Sequence, residues 1–172
     1  MDVILIGQTL GFVSFALGVY SMAQKNDSRM KHSLIAFYII HSMHFILLGN
    51  DTSAFSSGLS SIRNYLALRF GKTRWLCLLC ITTLIIIGLY LATSYYNLLA
   101  IIGSSIGTYA LFSWDGIKLR LGFMMGASLW LINNVITGSI GGSLLEASLI
   151  IMNIITIVRL NNDNNRDHTA VK

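Results

Sequence analysis

The chain has 172 residues, of which 54% are hydrophobic and 11% are charged. A water-soluble domain carries about 25% charged residues, so this composition excludes a soluble globular protein. The net charge of +5 does not indicate nucleic-acid binding, because the charged residues gather at the ends of apolar runs. Those runs recur along the whole chain with short polar breaks, a pattern typical of an all-α membrane protein with several spans.

Seven transmembrane helices are predicted, since a spanning helix needs about 20 residues and little of the chain is left for loops. Two groups of three helices, within residues 1–74 and 94–160, flank a single linker helix over 75–93. The polar segment 161–172 is predicted to be a disordered cytoplasmic tail. The predicted helices cover about residues 3–23, 32–48, 52–70, 75–93, 97–113, 121–136 and 142–160.

The basic residues predict the orientation, because lysine and arginine collect on the cytoplasmic side of inner membrane proteins. With seven spans, all of them fall on one side except Arg63, which lies deep inside the third helix. The N-terminus is therefore predicted to be outside and the C-terminus inside. The cytoplasmic set comprises Lys25, Arg29, Lys31, Arg69, Lys72, Arg74, Lys118, Arg120, Arg159, Arg166 and Lys172.

The two groups of three helices align after a shift of 89 positions, which indicates an internal repeat in parallel orientation. The shift pairs Lys31 with Arg120 and Asn64 with Asn153. A basic loop residue and an intramembrane amide thus recur at equivalent places. This agreement predicts a three-plus-one-plus-three arrangement.

The helix over 75–93 makes parallel halves possible, because three helices alone would leave the second half inverted. Its cysteines, Cys77 and Cys80, are interpreted as small buried apolar side chains. A redox or metal role would need polar access and further ligands. No cofactor and no metal are predicted.

Arg63 is the strongest candidate for a functional residue inside the membrane. A charge at the bilayer centre costs at least about 2.5–3.5 kcal/mol on insertion scales, so such residues are functional candidates by default. Three interpretations are open. Arg63 snorkels toward the inner surface, pairs structurally with Glu146, or lines a water-filled cavity and binds an anionic group.

Asn64 and Asn153 stand at the same position in the third helix of each half. A carboxamide in hydrocarbon needs hydrogen-bond partners, which a neighbouring helix or a bound substrate can supply. Residues related by the repeat face each other across the pseudo-axis, where substrate sites of transporters form. Both asparagines are therefore predicted to line a central cavity.

Four more polar residues complete the predicted substrate-binding set. His41 and His44 are three positions apart, hence on one face of their helix. Hydrogen bonding within the bundle, a metal site and a proton relay all fit that spacing, although two histidines alone are weak evidence for a metal. The other two are Asn133 and Glu146. Nothing in their spacing specifies a reaction, so the chain is predicted not to be an enzyme.

Residues 18–69 resemble the YgjV-type family of bacterial inner membrane proteins. The resemblance rests on the stretches Gly18-Val-Tyr-Ser-Met-Ala-Gln-Lys-Asn-Asp, His44-Phe-Ile-Leu-Leu-Gly and Ile62-Arg63-Asn64. That family looks related to the SWEET and PQ-loop transporters, which share the three-plus-one-plus-three plan with the N-terminus outside. In SWEET proteins an asparagine in the third helix of each half faces the sugar. The resemblance implies this role for Asn64 and Asn153.

The chain departs from the PQ-loop pattern in having no proline. The motif reads Ala23-Gln24 here, whereas SWEET-type hinging uses prolines in four helices. Either glycines such as Gly18 and Gly107 supply the flexibility, or the halves do not rock as SWEET halves do.

The sequence therefore predicts a small-solute transporter of the inner membrane that works by alternating access, with an anionic or sugar-like cargo. The alternative is a receptor or binding protein that uses the same fold without transport. The expected partners are a small-molecule substrate and the lipid bilayer, with no nucleic acid. The chain is expected to work as a monomer or a homo-oligomer.

Overall fold

The computed structural model describes residues 3–47, 51–92, 94–136 and 140–170, and within these ranges all regular structure is α-helical. The prediction of an all-α protein is confirmed for this part of the chain. Seven helices are described, namely α1 (Val3–Ala23), α2 (Asp27–Leu47), α3 (Asp51–Phe70), α4 (Arg74–Leu91), α5 (Asn97–Ser113), α6 (Gly116–Ile136) and α7 (Ile140–Ala170).

Four stretches of the described chain are long and apolar enough to cross a membrane by length and composition. They belong to α1, α4, α6 and α7, while α5 holds a shorter apolar stretch. Helices α2 and α3 are more polar, because they carry the histidine pair, Arg63 and a series of serines. The four stretches are Ile6–Ala23, Arg74–Leu91, Gly116–Ile136 and Gly142–Asp163.

Helices α2 and α6 begin earlier than the sequence predicts, at Asp27 and Gly116. The polar residues there read as loops, but they form the first turn of each helix. The Asn26 carboxamide accepts a hydrogen bond from the Arg29 backbone N–H at 3.0 Å and so caps α2. The cap gives a backbone N–H of the first turn a hydrogen-bond partner, and this contact is not evident from a run of charged residues in the sequence.

The C-terminal segment differs from the predicted disordered tail, because α7 is helical through Ala170. Asp163 forms an ion pair with Lys25, and Arg159 donates to the Ala23 carbonyl at 3.2 Å. These contacts attach the continuation of α7 to the end of α1. Parts of three predicted segments, at residues 48, 93 and 171–172, lie outside the described residues.

Each half of the chain is a group of three helices with its second helix in the middle. Helix α2 contacts both α1 and α3, and α6 contacts both α5 and α7. The two halves meet along α1–α7 and along α3–α5. Helix α4 packs mainly on α5 and has a smaller contact to α3. It therefore lies at the side of the bundle that the two three-helix groups form.

A cluster of buried apolar side chains joins the two halves. Met30 on α2 and Leu119 on α6 are both fully buried within it. Close van der Waals packing in such a cluster helps to hold membrane helices together. The members are Met22, Met30, Leu34, Phe37, Ala110, Leu119, Leu145 and Leu149.

A second buried cluster joins α3, α4 and α5 and contains both cysteines. Cys77 and Cys80 are buried free thiols within it. Their interpretation as packing residues is confirmed. Close packing of α5 on α6 depends instead on glycine, since a Cβ on Gly103 would lie 2.8 Å from the Gly126 carbonyl oxygen.

Candidate functional site

Arg63 is buried on α3, with 6% of its surface exposed, and its guanidinium is directed at α5. Nη1 donates to the Thr108 hydroxyl at 2.8 Å and to the Ser104 carbonyl at 3.2 Å. Nη2 donates to the Tyr38 hydroxyl at 3.4 Å, and the guanidinium carbon lies 5.8 Å from the centre of the Tyr38 ring. All these partners are neutral. Within the described chain, Nε has no hydrogen-bond partner.

Two of the three interpretations of Arg63 do not describe its surroundings. Snorkelling would place the guanidinium at a water-facing end, but the side chain is buried between helices. A structural pair with Glu146 is also absent, since no ion pair of the described residues joins the two. An interior position facing the other half is what remains.

Asn64 and Asn153 have the same local geometry in α3 and α7. Each is only 1% exposed. The Nδ2 group of Asn64 donates to the Ser60 carbonyl at 2.8 Å, and that of Asn153 donates to the Leu149 carbonyl at 2.9 Å. In both, Oδ1 is buried without a hydrogen-bond partner among the described residues. Each amide thus uses one of its two N–H donors on its own helix and leaves its acceptor oxygen available.

Glu146 lies on α7, one residue after Leu145, which belongs to the cluster between the halves. Its side chain is half-buried, and it makes neither a hydrogen bond nor an ion pair with described residues. It is close enough to Tyr38 to interact with it electrostatically. Tyr38 therefore connects the surroundings of Arg63, which it contacts directly, with those of Glu146.

His41 and His44 face α1. Nδ1 of His41 lies 3.0 Å from the Ser14 hydroxyl, and Nδ1 of His44 lies 2.7 Å from the Gly7 carbonyl oxygen. Their rings stack with centres 5.8 Å apart. A Cβ on Gly11 would come within 2.9 Å of the His44 ring, so glycine makes room for it. The structure therefore shows the pair hydrogen-bonded within the bundle.

The predicted site residues lie on four helices and are not all turned to one point. Arg63 and Asn64 are on α3, and Glu146 and Asn153 are on α7. Asn133 is buried on α6 with 7% of its surface exposed. The histidine pair on α2 is directed at α1 instead. No group of three His, Cys, Asp or Glu side chains in the described ranges is placed to hold a metal ion.

Sequence reasoning missed Tyr38 and Thr108, the two hydroxyl residues that bond Arg63. Neither carries a charge, and hydroxyl residues are common in helices of this kind. Their distance from Arg63 along the chain gives no sign of contact. The signal that could have found them is the depth of Arg63 in the bundle. A buried guanidinium needs hydrogen-bond acceptors at the same depth on the neighbouring helices.

A second buried arginine, Arg120, joins the two halves at one end of the bundle. It is 0% exposed, and its Nη2 donates to Asp27 Oδ1 at 2.8 Å and to the Gln24 carbonyl at 2.9 Å. The other Asp27 oxygen accepts from the Gly116 backbone N–H at 2.6 Å. Gly116 has a φ of +54°, which glycine adopts without strain. We call Gln24, Asp27, Gly116 and Arg120 the inter-half latch.

Other charged residues gather at the same end as the latch. Lys72 forms an ion pair with Asp115, and Lys25 forms one with Asp163. Burial lowers the pKa of Lys31, in the first turns of α2, below its ordinary value. The connections α1–α2, α3–α4 and α5–α6 and the last turns of α7 therefore share one end of the bundle.

The helical fold and its four long apolar stretches are those of a multi-pass membrane protein. Residues 5–164 match the family Imp-YgjV, described as a bacterial inner membrane protein. The chain belongs to this family, and its membrane is therefore the bacterial inner membrane. It is 31% identical over 156 residues to Inner membrane protein YgjV of Escherichia coli (strain K12), which covers 90% of this chain and 84% of that protein. No solved structure matches the chain.

Proposed function

We propose that this protein is a small-solute transporter that works by alternating access between its two three-helix halves. The observation that carries the proposal is the buried cation of Arg63, whose partners are all neutral. An uncompensated buried charge is costly. A carboxylate on the cargo would compensate it and could accept two parallel hydrogen bonds from the guanidinium. A sugar-like cargo is the other class that the amides could bind.

In this proposal all seven helices span the membrane, with the N-terminus outside and the C-terminus inside. The support is the shared end described above, where three connections and the end of α7 meet through ion pairs. Most of the basic residues of the chain belong to those segments. That end is then the cytoplasmic one.

The parallel repeat and the relation to SWEET and PQ-loop transporters are part of the same proposal. In the repeat, α1 corresponds to α5 and α7 corresponds to α3. The α1–α7 contact therefore has the α5–α3 contact as its equivalent, and both contacts occur. Asn64 and Asn153 have equivalent hydrogen bonds. The latch bond from Gly116 to Asp27 joins residues 89 positions apart, which is the spacing of the repeat.

Alternating access assigns a role to the inter-half latch. With Asp27 and Arg120 joined, the cytoplasmic end is closed, and the halves must separate there to release cargo inward. The breaking of an ion pair and its re-formation within each cycle is a two-state change of the kind that transporters use. The described state is therefore the outward-facing or the occluded one.

The transport proposal is tested by uptake into proteoliposomes of radiolabelled L-alanine, lactate and glucose. Uptake of whichever probe the wild-type protein carries should be lost in Arg63→Ala and in Asn153→Ala, provided that both variants fold. Lys72→Ala, at an exposed ion pair, is the matched control and should keep its uptake. Unchanged uptake in both test variants would reject this site.

Orientation has its own test in reporter fusions. Alkaline phosphatase fused after Tyr96 should be active, because that connection lies outside. The same enzyme fused after Trp114 should be inactive, whereas a green fluorescent protein there should fluoresce. The opposite pattern at both positions would reverse the proposed topology.

A receptor that binds the solute without carrying it is the second candidate. Two observations favour it. The chain has no proline, and a cluster of buried apolar side chains joins the two halves. A solute that raises the melting temperature of the purified protein but never enters proteoliposomes would support this function. No catalytic role is proposed.

A further inference from the structure

The interior of the bundle contains a carboxyl group as well as the cation of Arg63. Arg63 is a cation with neutral partners, and Glu146 is a carboxyl group with no hydrogen bond or ion pair to the described chain. The two do not pair with each other. A cargo that carries only a carboxylate would satisfy Arg63 and leave Glu146 without a partner.

The two asparagines add acceptors. Oδ1 of Asn64 and Oδ1 of Asn153 are buried, and neither accepts a hydrogen bond from the described residues. One of the two N–H donors of each amide is already used, by the carbonyl of Ser60 in Asn64 and by that of Leu149 in Asn153. A buried acceptor without a partner costs free energy, so a ligand that binds there gains most by bringing N–H or O–H donors. A simple anion has none to offer.

Charge balance further restricts the chemical class of the ligand. A sugar would supply donors but would leave the Arg63 charge uncompensated and would bring no cationic group to Glu146. A molecule with one carboxylate and one ammonium group matches Arg63 with its anion, and matches Glu146 and the amide oxygens with its cation. Because the ligand itself is neutral overall, it adds no net charge to the interior of the bundle.

We propose that the solute bound by this protein is a zwitterion of the amino-acid type, with its carboxylate on Arg63 and its ammonium group held by Glu146 and by the free oxygens of Asn64 and Asn153. The location of the site rests on the proposed function. The binding chemistry can be measured without any transport, so the two can fail separately.

The test uses the full-length protein purified in detergent, with the twenty standard amino acids as probes in thermal-shift and calorimetric titrations. For the amino acid that binds best, the same titration is repeated with the analogue that lacks the amino group and with the one that lacks the carboxylate. Removing either group should weaken binding roughly tenfold to hundredfold. Glucose, tested alongside, should not bind.

Two charge-removing variants distinguish recognition from a structural effect. Glu146→Gln should weaken binding of the zwitterion but leave the affinity for the deaminated acid unchanged. Arg63→Gln should weaken the zwitterion and spare the decarboxylated amine. A purely structural role would weaken all these ligands alike, which would overturn the assignment of the two groups.

The ligand series needs no variant, so it decides the matter even if a variant fails to fold. Binding of glucose or of a simple acid in preference to every amino acid would overturn the zwitterion while leaving transport intact. Binding of an amino acid that never enters proteoliposomes would uphold the zwitterion and contradict transport.

Discussion

Two arginines are buried in the part of the chain that the structure describes, and they differ in what surrounds them. Arg120 lies at the end of the bundle, fully buried, with its charge opposed by Asp27 at 2.8 Å. Arg63 is 6% exposed and bonds only to a carbonyl and two hydroxyls. The first has its counter-ion within the chain, whereas the second has none among the described residues.

Under the proposed function, the difference separates a structural role from a binding role. The compensated Arg120 holds its neighbours in place, and its removal would leave the half-buried Asp27 carboxylate without its cation. The uncompensated Arg63 would gain its ionic partner when a ligand binds. Burial alone does not distinguish the two roles. The presence or absence of an anionic partner distinguishes them.

The largest effect should come from Asp27→Asn, which leaves the Arg120 charge buried without an anion. Loss of one partner of a buried ion pair costs about 3–5 kcal/mol. Thermal unfolding in detergent measures it, and the double variant Asp27→Asn with Arg120→Met should recover a good part of the loss. A melting temperature equal to that of the wild type would mean that the latch holds nothing together.

Arg63→Met should cost the ligand-free protein much less stability than Asp27→Asn. The variant removes a buried cation without an anionic partner, which is favourable, but it also removes the hydrogen bonds to Ser104, Thr108 and Tyr38, which is unfavourable. The two effects should nearly cancel, so we expect a change within about 1–2 kcal/mol of the wild type. The same unfolding measurement checks this. A loss as large as that of Asp27→Asn would show that Arg63 has a structural partner after all.

Asn64→Leu removes a buried acceptor that has no partner in the described chain. The ligand-free variant should be unchanged or about 1 kcal/mol more stable, because the desolvation of Oδ1 no longer has to be overcome. Thr156→Val is the matched control, since its hydroxyl donates to the Met22 carbonyl at 2.8 Å. That variant should lose about 1 kcal/mol. Equal losses in both variants would contradict the distinction.

The smallest effect belongs to Lys72→Ala. Lys72 and Asp115 form an ion pair whose side chains are 53% and 58% exposed. Such pairs contribute about 0–1 kcal/mol, and salt screens them. Unfolding of this variant at low and at high salt should differ little from the wild type. A loss comparable to that of Asp27→Asn would remove the contrast between buried and exposed pairs.

The sequence predicts most of the fold because apolar runs and their polar breaks report helices directly. Arg63, Asn64 and Asn153 were identifiable because a charge or an amide in an apolar helix is rare and conspicuous. Cys77 and Cys80 were placed in the core by the same reasoning, and the structure agrees. For these residues, the chemistry of the side chain and the helix it stands in are enough to predict its position.

What the sequence could not supply depends on contacts between distant segments. Asp27 and Arg120 both read as loop charges, and only the fold brings them together as an ion pair. Tyr38 and Thr108 look like ordinary helix residues until Arg63 is placed beside them. The continuation of α7 was missed because its polar composition is typical of a free tail, whereas Lys25 and Asp163 attach it to α1.

The central claim is that Arg63 serves the cargo rather than the fold, and the initial rate of L-amino acid uptake into proteoliposomes tests it most directly. Arg63→Met should abolish uptake while the variant melts close to the wild type and well above Asp27→Asn. Arg63→Lys, which keeps the charge but loses the planar fork, should retain a fraction of the rate. Uptake by Arg63→Met at the wild-type rate would contradict the claim.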